Sequence, residues 1–254
     1  MVDFDTAMRI ESRYLAGLMT SQEARNMINT FFFNMNSIKG GQSRPKAAPR
    51  YKPQKVGILG AGMMGSGIAY SQASRGIATV LKDVSLEAAE KGKAYSQKLT
   101  QKRVDKGRMT SDKQAALLSL IQPTVSAADL KGCDLIIEAV FENRELKAKV
   151  TQEAEPMLAE GGFFASNTST LPISGLATAS ANANKFVGIH FFSPVDKMQL
   201  VEIIRGAQTD DETISRAYDY VQALGKLPIV VNDSRGFYTS RTFGTFVMEG
   251  AAML

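Results

Sequence analysis

The chain has 254 residues, of which 44% are hydrophobic and 22% are charged, and it contains a single cysteine. This length and composition are typical of a globular domain with room for an appendage, and they exclude wholesale disorder. One cysteine, Cys133, allows neither an internal disulfide nor a cysteine metal cluster. We therefore expect a cytoplasmic protein without a metal site, and no stretch reads as a secretory leader or a membrane span.

The net charge of +5 comes from the first part of the chain. Residues 1–55 carry nine lysines and arginines against four acidic residues, whereas residues 56–254 carry 21 of each sign. A protein that binds nucleic acid through its phosphates usually has a basic face on its fold. The sequence therefore predicts no nucleic-acid partner, unless the basic segment 37–55 binds DNA by itself.

The first 55 residues divide into a helical segment and a linker. Apolar residues recur at spacings of three, four and seven over residues 3–36, which predicts helices. Three consecutive phenylalanines, Phe31–Phe33, are expected to pack against a partner surface because they would otherwise favour aggregation. Residues 37–55 have six basic residues, three prolines and no acid, which is typical of an extended, solvated linker.

From Lys55 onward, short apolar runs alternate with amphipathic stretches. The runs predict strands at 56–59, 77–82, 135–140, 163–165, 186–190, 200–204 and 229–231. Helices are predicted at 63–75, 85–106, 111–118, 144–159 and 211–224, and a further one begins at Phe237. This alternation is typical of an α/β fold with a doubly wound, mostly parallel sheet.

The first predicted strand runs directly into the sequence GAGMMG at residues 60–65. A glycine-rich loop between a strand and a helix places backbone N–H groups where a pyrophosphate can bind. Asp83 ends the second strand and is positioned to accept ribose hydroxyls, and the absence of a basic residue at Val84 or Ser85 favours NAD over its 2′-phosphorylated form. The alternative is a tight turn followed by an ordinary helix-initiating aspartate.

Two polar groups follow later strands. Glu142 and Lys147 could line a cofactor, or Glu142 could be a loop residue while Asn143 caps the next helix. The segment Ser166–Thr170 could be a capped turn, or its hydroxyls could reach a substrate because it follows a strand.

His190 is the only histidine in the sequence. It could be a structural residue, but Glu202 lies in a predicted apolar strand where a carboxylate needs a partner. Paired with Glu202, the imidazole would become a base able to take a hydroxyl proton near neutral pH.

Four stretches in order, GILGAGMMGSGIAY, LIIEAVFENRELK, FASNTSTLPIS and GIHFFSPVDKMQLVEII, resemble the L-3-hydroxyacyl-CoA dehydrogenase family over about residues 55–240. The resemblance implies a Rossmann-type NAD-binding domain, with NAD-dependent oxidation of (S)-3-hydroxyacyl-CoA to 3-ketoacyl-CoA in fatty-acid β-oxidation. A non-enzymatic dinucleotide-binding protein on the same fold is the alternative. Dehydrogenases of the 2-hydroxyacid or 3-hydroxyisobutyrate type would lack the HFF-x-P segment.

Position by position, the resemblance implies roles for individual residues. His190 would be the catalytic base and Glu202 its partner, and Ser169 would contact both substrate and cofactor. The implied cofactor-binding residues are Gly60, Gly62, Met64, Gly65, Asp83, Glu142, Lys147 and Ser169. Ser193 and Ser240 stand where asparagines are common, which puts their substrate hydrogen bonds in question.

The N-terminal stretch ESRYLAGLMTSQEARNMINTFFF is similar to the connecting region of the multifunctional β-oxidation alpha subunit. This implies a helical linker at 1–54 after an enoyl-CoA hydratase domain, an NAD-binding domain at 55–233, and the truncated first helix of a C-terminal dehydrogenase domain at 234–254. The implied partners are the acyl-CoA substrate, further subunits of an oligomer and a thiolase.

Overall fold

The computed structural model describes residues 2–254, and the chain divides into two compact units between Ser43 and Arg44. The first unit contains the helices α1 (Phe4–Thr20), α2 (Gln22–Met27) and α3 (Met35–Gly40), with a π-helical stretch at Ile28–Asn34. Asp3 begins α1 by accepting a hydrogen bond from the amide of Thr6 at 2.9 Å. The helices predicted over residues 3–36 are confirmed.

Phe31–Phe33 lie in the π-helical stretch, and their side chains are 69%, 59% and 58% exposed. No residue of the described chain covers them, so the expectation that they pack against another surface stays a prediction.

The second unit, Arg44–Leu254, is built on one sheet. Its eight strands within residues 2–254 have the order β3-β2-β1-β4-β5-β6-β7-β8. All neighbouring strands are parallel except β6 and β7, which are antiparallel. This is the doubly wound, mostly parallel sheet that was predicted. The strands are β1 (Lys55–Leu59), β2 (Ala78–Lys82), β3 (Ile121–Thr124), β4 (Cys133–Glu138), β5 (Leu158–Ser166), β6 (Phe186–Phe191), β7 (Leu200–Arg205) and β8 (Leu227–Asn232).

Seven helices of this unit connect or follow the strands. They are α4 (Met63–Ala73), α5 (Leu86–Asp105), α6 (Ser111–Ser119), α7 (Arg144–Ala154), α8 (Ile173–Leu176), α9 (Asp211–Ala223) and α10 (Thr239–Ala252). Side-chain caps explain where several of them begin, because an oxygen at the preceding residue accepts one of the free first-turn amides. Asn143 caps α7 in this way, accepting from Leu146 at 2.9 Å, which is one of the alternatives that the sequence left open.

Several boundaries differ from the prediction by a few residues, and two larger differences have a physical cause. Strand β3 was not predicted, since Gln122 and Pro123 interrupt its apolar pattern; proline is tolerated there because β3 lies at the edge of the sheet. The predicted helix over 144–159 ends at Ala154, and β5 already begins at Leu158.

Buried side chains cover both faces of the sheet. Consecutive residues of one strand belong to different clusters: Ile58 packs on one face and Leu59 on the other. Residues Phe163 and Phe164 of β5 divide in the same way, because side chains alternate along a strand. The sheet is therefore a two-sided core that holds the carboxyl ends of its strands in place.

The segment that precedes β1 is attached to the sheet unit. Asp219 on α9 accepts hydrogen bonds from the Arg44 guanidinium (both 2.7 Å), from Arg50 (2.7 Å) and from the amide of Tyr51 (2.9 Å). The Arg44 side chain is only 9% exposed. The prediction of a solvated linker is therefore wrong at Arg44 and Tyr51, which donate to a buried carboxylate on α9, whereas Lys46, Ala47, Pro49 and Arg50 are exposed.

Among residues 2–254, no helix combines the length and the apolar character needed to cross a bilayer.

Candidate active site

The glycine loop follows β1 and approaches the start of α4 very closely. Gly60 has φ of +94°, and a Cβ there would lie 2.8 Å from the carbonyl oxygen of Ala139. A Cβ on Gly65 would lie 1.8 Å from the carbonyl oxygen of Gly60, whereas a Cβ on Gly62 would meet no atom within 4 Å. Two of these glycines are thus required by the fold, and Gly62 leaves open space at the first turn of α4, which is where a bound pyrophosphate needs it.

Asp83 follows β2 and faces this loop. Its Oδ2 accepts a hydrogen bond from the amide of Ala61 at 2.6 Å, and its Oδ1 accepts one from the amide of Val84 at 2.6 Å. Each carboxylate oxygen has a second lone pair for a ribose hydroxyl. The carboxylate lines a largely apolar cleft of about 460 Å³, together with Leu59, Gly60, Gly62, Met63, Met64, Lys82, Val84, Ala139, Val140, Phe141, Leu146 and Val150.

His190 and Glu202 face each other across the antiparallel pair of β6 and β7, where they are register partners. The His190 Nδ1 lies 2.8 Å from the Glu202 Oε2. Glu202 also accepts hydrogen bonds from the amide of Tyr238 (3.0 Å) and from the amide and hydroxyl of Thr239 (both 2.9 Å). Burial opposes its ionisation, but these donors outweigh burial and lower the pKa of the Glu202 carboxyl.

A second cleft, of about 290 Å³, lies over His190. It adjoins the first cleft, with which it shares three lining residues, Met64, Ala139 and Val140. Its remaining lining residues are Glu142, Asn167, Ser169, His190, Phe191, Phe192 and Ser193. The structure therefore places the predicted catalytic residues His190 and Ser169 in a cleft next to the one that the predicted dinucleotide loop lines.

Glu142 and Lys147 contact each other, but they have different exposures. Lys147 is 2% exposed, and its Nζ lies 2.9 Å from both carboxylate oxygens of Glu138 and 3.2 Å from the Glu142 Oε2. Glu142 lines the cleft over His190, whereas Lys147 is not among the lining residues of either cleft. Burial opposes ionisation of Glu142, but hydrogen bonds from Thr168 and the charge of Lys147 outweigh it and lower its pKa to about 2.

The two predicted substrate-binding serines have different positions. Ser193 is exposed at the rim of the cleft over His190, and its hydroxyl lies 3.5 Å from the sulfur of Met63. Ser240 is exposed on the first turn of α10 and does not belong to the lining of either cleft. The structure thus brings Ser193, but not Ser240, to the cleft over His190.

Two residues of the site were not predicted. Asn167 lines the cleft, and its Oδ1 accepts a hydrogen bond from the amide of Phe191 at 2.9 Å. Glu138 is fully buried at the end of β4. The available signal was the carboxylate that closes the apolar run LIIE, since a buried carboxylate needs a cation or several donors.

Residues 55–234 match the family model described as the NAD-binding domain of 3-hydroxyacyl-CoA dehydrogenase. The chain belongs to the 3-hydroxyacyl-CoA dehydrogenase family. As a member of this family it is an NAD-dependent oxidoreductase.

Solved structures of dehydrogenases resemble the chain over most of its length. The (S)-3-hydroxybutyryl-CoA dehydrogenase PaaH1 from Ralstonia eutropha is 38% identical, with a TM-score of 0.74 over 80% of this chain and 74% of that one. FadB2 of M. tuberculosis is 30% identical, with a TM-score of 0.75 over 80% and 72%. The dehydrogenase part of multifunctional enzyme 1 from C. elegans is 28% identical, with a TM-score of 0.63 over 71% and 41%.

The residues present in this 3-hydroxyacyl-CoA dehydrogenase fit NAD. The open space above Gly62 and the amides at the start of α4 suit a diphosphate, and Asp83 offers acceptors to a ribose. The apolar cleft beside Asp83 suits an adenine ring.

Proposed function

We propose that the chain carries the cofactor-binding and proton-abstracting part of a dehydrogenase that oxidises (S)-3-hydroxyacyl-CoA to 3-ketoacyl-CoA in fatty-acid β-oxidation. The observation that carries this proposal is the His190–Glu202 pair, 2.8 Å apart, at a cleft that adjoins the one lined by the glycine loop. An alcohol oxidation needs a base for the hydroxyl proton beside a hydride acceptor, and the two adjoining clefts offer room for both.

Glu202 supports the proton transfer to His190 in two ways. Glu202 accepts the Nδ1 proton of His190, which leaves the Nε2 lone pair to take the proton from a 3-hydroxyl group. The carboxylate then stabilises the imidazolium that forms. NAD supplies the hydride acceptor when it is bound.

The cofactor-binding roles are divided among the loop and the two clefts. We assign the pyrophosphate to Gly60, Gly62, Met64 and Gly65, and the ribose to Asp83. Glu142 and Ser169 line the cleft over His190 and are assigned to the nicotinamide side. Ser193 at the cleft rim is a candidate for the acyl group, while Ser240 needs a different ligand position because it lies outside both linings.

Several wider assignments belong to the same proposal. The helical unit before Arg44 would connect this domain to an enoyl-CoA hydratase domain, and α10 would begin a C-terminal dehydrogenase domain. The whole protein would be a cytoplasmic oligomer paired with a thiolase. None of its partners would be a nucleic acid or a membrane.

The proposal is tested with the chain and its His190→Ala variant. Titration with NADH and with NADPH, followed by cofactor fluorescence, should give tight binding of NADH only; the absence of tryptophan leaves that signal uncontaminated. With NAD⁺ and (S)-3-hydroxybutyryl-CoA, NADH should form slowly, because full activity should need the C-terminal dehydrogenase domain that closes over the acyl group. The R enantiomer should be inert. Loss of general-base catalysis should lower the rate of the variant by about 10²- to 10⁴-fold.

Two outcomes would contradict the proposal. An unchanged rate in His190→Ala would remove the catalytic assignment. NADH binding without oxidation of any 3-hydroxyacyl-CoA, in this chain and in longer versions of the protein, would favour the non-enzymatic alternative.

A further inference from the structure

The loop that brings Asn167 and Ser169 to the cleft is held by two carboxylates. These two residues line the cleft over His190. The hydroxyls of the neighbouring residues donate to the carboxylates: Ser166 donates to Glu138, and Thr168 and Thr170 donate to Glu142. Glu142 itself lines the cleft, whereas Glu138 is fully buried.

Glu142 also binds the backbone of this loop. Its Oε1 accepts hydrogen bonds from the amide of Ser169 at 2.9 Å and from the amide of Thr170 at 3.1 Å. One carboxylate oxygen therefore holds the main chain of the residue that is exposed to the cleft.

Lys147 contacts the carboxylates of both Glu138 and Glu142. Its ammonium group contacts both oxygens of Glu138 at 2.9 Å and the Oε2 of Glu142 at 3.2 Å. Lys147 is 2% exposed and Glu138 is fully buried, so water screens little of this charge. The lysine does not belong to the lining of either cleft.

We propose that Lys147 and Glu138 are positioning residues that act through Glu142 to present Asn167 and Ser169 to the cleft. Glu138 anchors the ammonium group and the Ser166 end of the loop. The ammonium group keeps Glu142 ionised, and ionised Glu142 accepts the amides of Ser169 and Thr170. The role of the cleft in catalysis rests on the proposed function, whereas the contacts among Lys147, Glu138 and Glu142 do not depend on it.

The electrostatic directions agree with this chain of contacts. Burial raises the pKa of Glu138 despite its contacts with Lys147 and Ser166. The pKa of Glu142 is lowered to about 2, with Lys147 among the causes. Within residues 2–254, the charged group that contacts Glu142 is Lys147 of α7. The same ammonium group also contacts Glu138 of β4.

The experiment follows the backbone amides of Ser169 and Thr170 by NMR between pH 8 and pH 4 in the whole chain. In the wild type their shifts should show no titration step that belongs to Glu142, because Glu142 stays ionised throughout. In Lys147→Met, the loss of a nearby positive charge should raise the midpoint for Glu142 by about one to three units, so that both amides begin to titrate at the acidic end. Their hydrogen exchange at pH 7 should accelerate by about tenfold or more.

Matched variants separate positioning from a merely structural effect. Lys147→Arg keeps the positive charge, so the pH profiles of both amides should stay as in the wild type. Glu155→Gln changes another buried carboxylate that holds loop amides, those of Ala181 and Asn182, and should leave Ser169 and Thr170 unaltered. Identical pH profiles in Lys147→Met and the wild type would overturn the proposal.

A double variant covers the possibility that Lys147→Met alone does not fold. Glu138→Leu with Lys147→Met replaces a buried ion pair by apolar side chains of similar volume, an exchange that proteins often tolerate. It should show the same titration of Ser169 and Thr170, and flat profiles would again overturn the proposal. Absent dehydrogenase activity in the wild type would overturn the proposed function without altering these amide signals.

Discussion

The amide of Ala61 donates to the carboxylate of Asp83 across 2.6 Å, so the residue proposed to bind the ribose also holds the glycine loop. This contact ties the end of β2 to the turn after β1. A change at Asp83 therefore alters both the proposed acceptor for the ribose hydroxyls and the shape of the glycine loop.

Asp83→Ala should weaken NADH binding by about 10- to 100-fold, because a hydrogen bond to a charged group contributes about 1.5–3 kcal/mol. Fluorescence titration measures the effect. Asp134→Ala is the matched control, since Asp134 also accepts two backbone amides, those of Gln54 and Lys55, but outside both clefts. Equal losses of affinity in the two variants would contradict a ribose role for Asp83.

Alanine at Gly62 and at Gly65 should have opposite effects. Gly65→Ala should destabilise the fold, because its Cβ would collide with the Gly60 carbonyl oxygen. Gly62→Ala should fold normally and lose NADH affinity, since its methyl group would enter the open space assigned to the diphosphate. Thermal unfolding and NADH titration together distinguish the two, and normal NADH affinity in Gly62→Ala would count against the assigned position.

Glu202→Gln should keep His190 close but remove the charge that stabilises the imidazolium. We expect the oxidation rate to fall by about 10- to 100-fold, from the loss of a charged hydrogen bond. Steady-state assays with NAD⁺ and (S)-3-hydroxybutyryl-CoA measure it. Glu155→Gln, a buried carboxylate outside the two clefts, serves as the control and should retain the wild-type rate.

Asp219 should make the stability of the sheet unit depend on pH. Burial opposes its ionisation, but Arg44, Tyr51 and Arg50 outweigh burial and lower the pKa of the Asp219 carboxyl. A lowered pKa stabilises the fold above the ordinary aspartate value of about 4, and this stability is lost as the pH falls through the lower folded value.

Asp219→Ala should therefore cost about 3–5 kcal/mol at pH 7, because it leaves the largely buried Arg44 without its carboxylate. The difference from the wild type should shrink below about pH 4. Arg50→Ala should cost less than about 1 kcal/mol, as the Arg50 side chain is 62% exposed. Urea unfolding at several pH values checks this, and a difference for Asp219→Ala that stays constant with pH would argue against the ion pairs.

The parts of the fold that could be predicted are those where one local pattern dominates. The strands β1 and β4 are apolar runs because both faces of the sheet are covered, and Asn143 is recognisable as a cap from its position before a helix. Strand β3 was missed because its pairing with β2 is not visible in its own residues.

The same limit applies to the site. His190 and Glu202 could be paired from their strand positions, since each lies in an apolar strand that requires its polar residue to have a partner. Asn167 and Glu138 owe their roles to contacts with residues from other strands and from α7. The run LIIE signals that Glu138 needs a partner, but no local pattern identifies Lys147 as that partner or Phe191 as the partner of Asn167. The attachment of Arg44 to α9 was missed for the same reason, because its partner lies 175 residues away.

Glu202 also caps the helix that follows β8. By accepting the amides of Tyr238 and Thr239, it satisfies free donors at the start of α10 with the carboxylate that orients His190. The direction in which α10 leaves the sheet and the tilt of the imidazole ring are therefore set by the same two oxygen atoms. Any ligand or neighbour that displaces α10 would therefore also move the Glu202 carboxylate, and with it the orientation of the His190 ring.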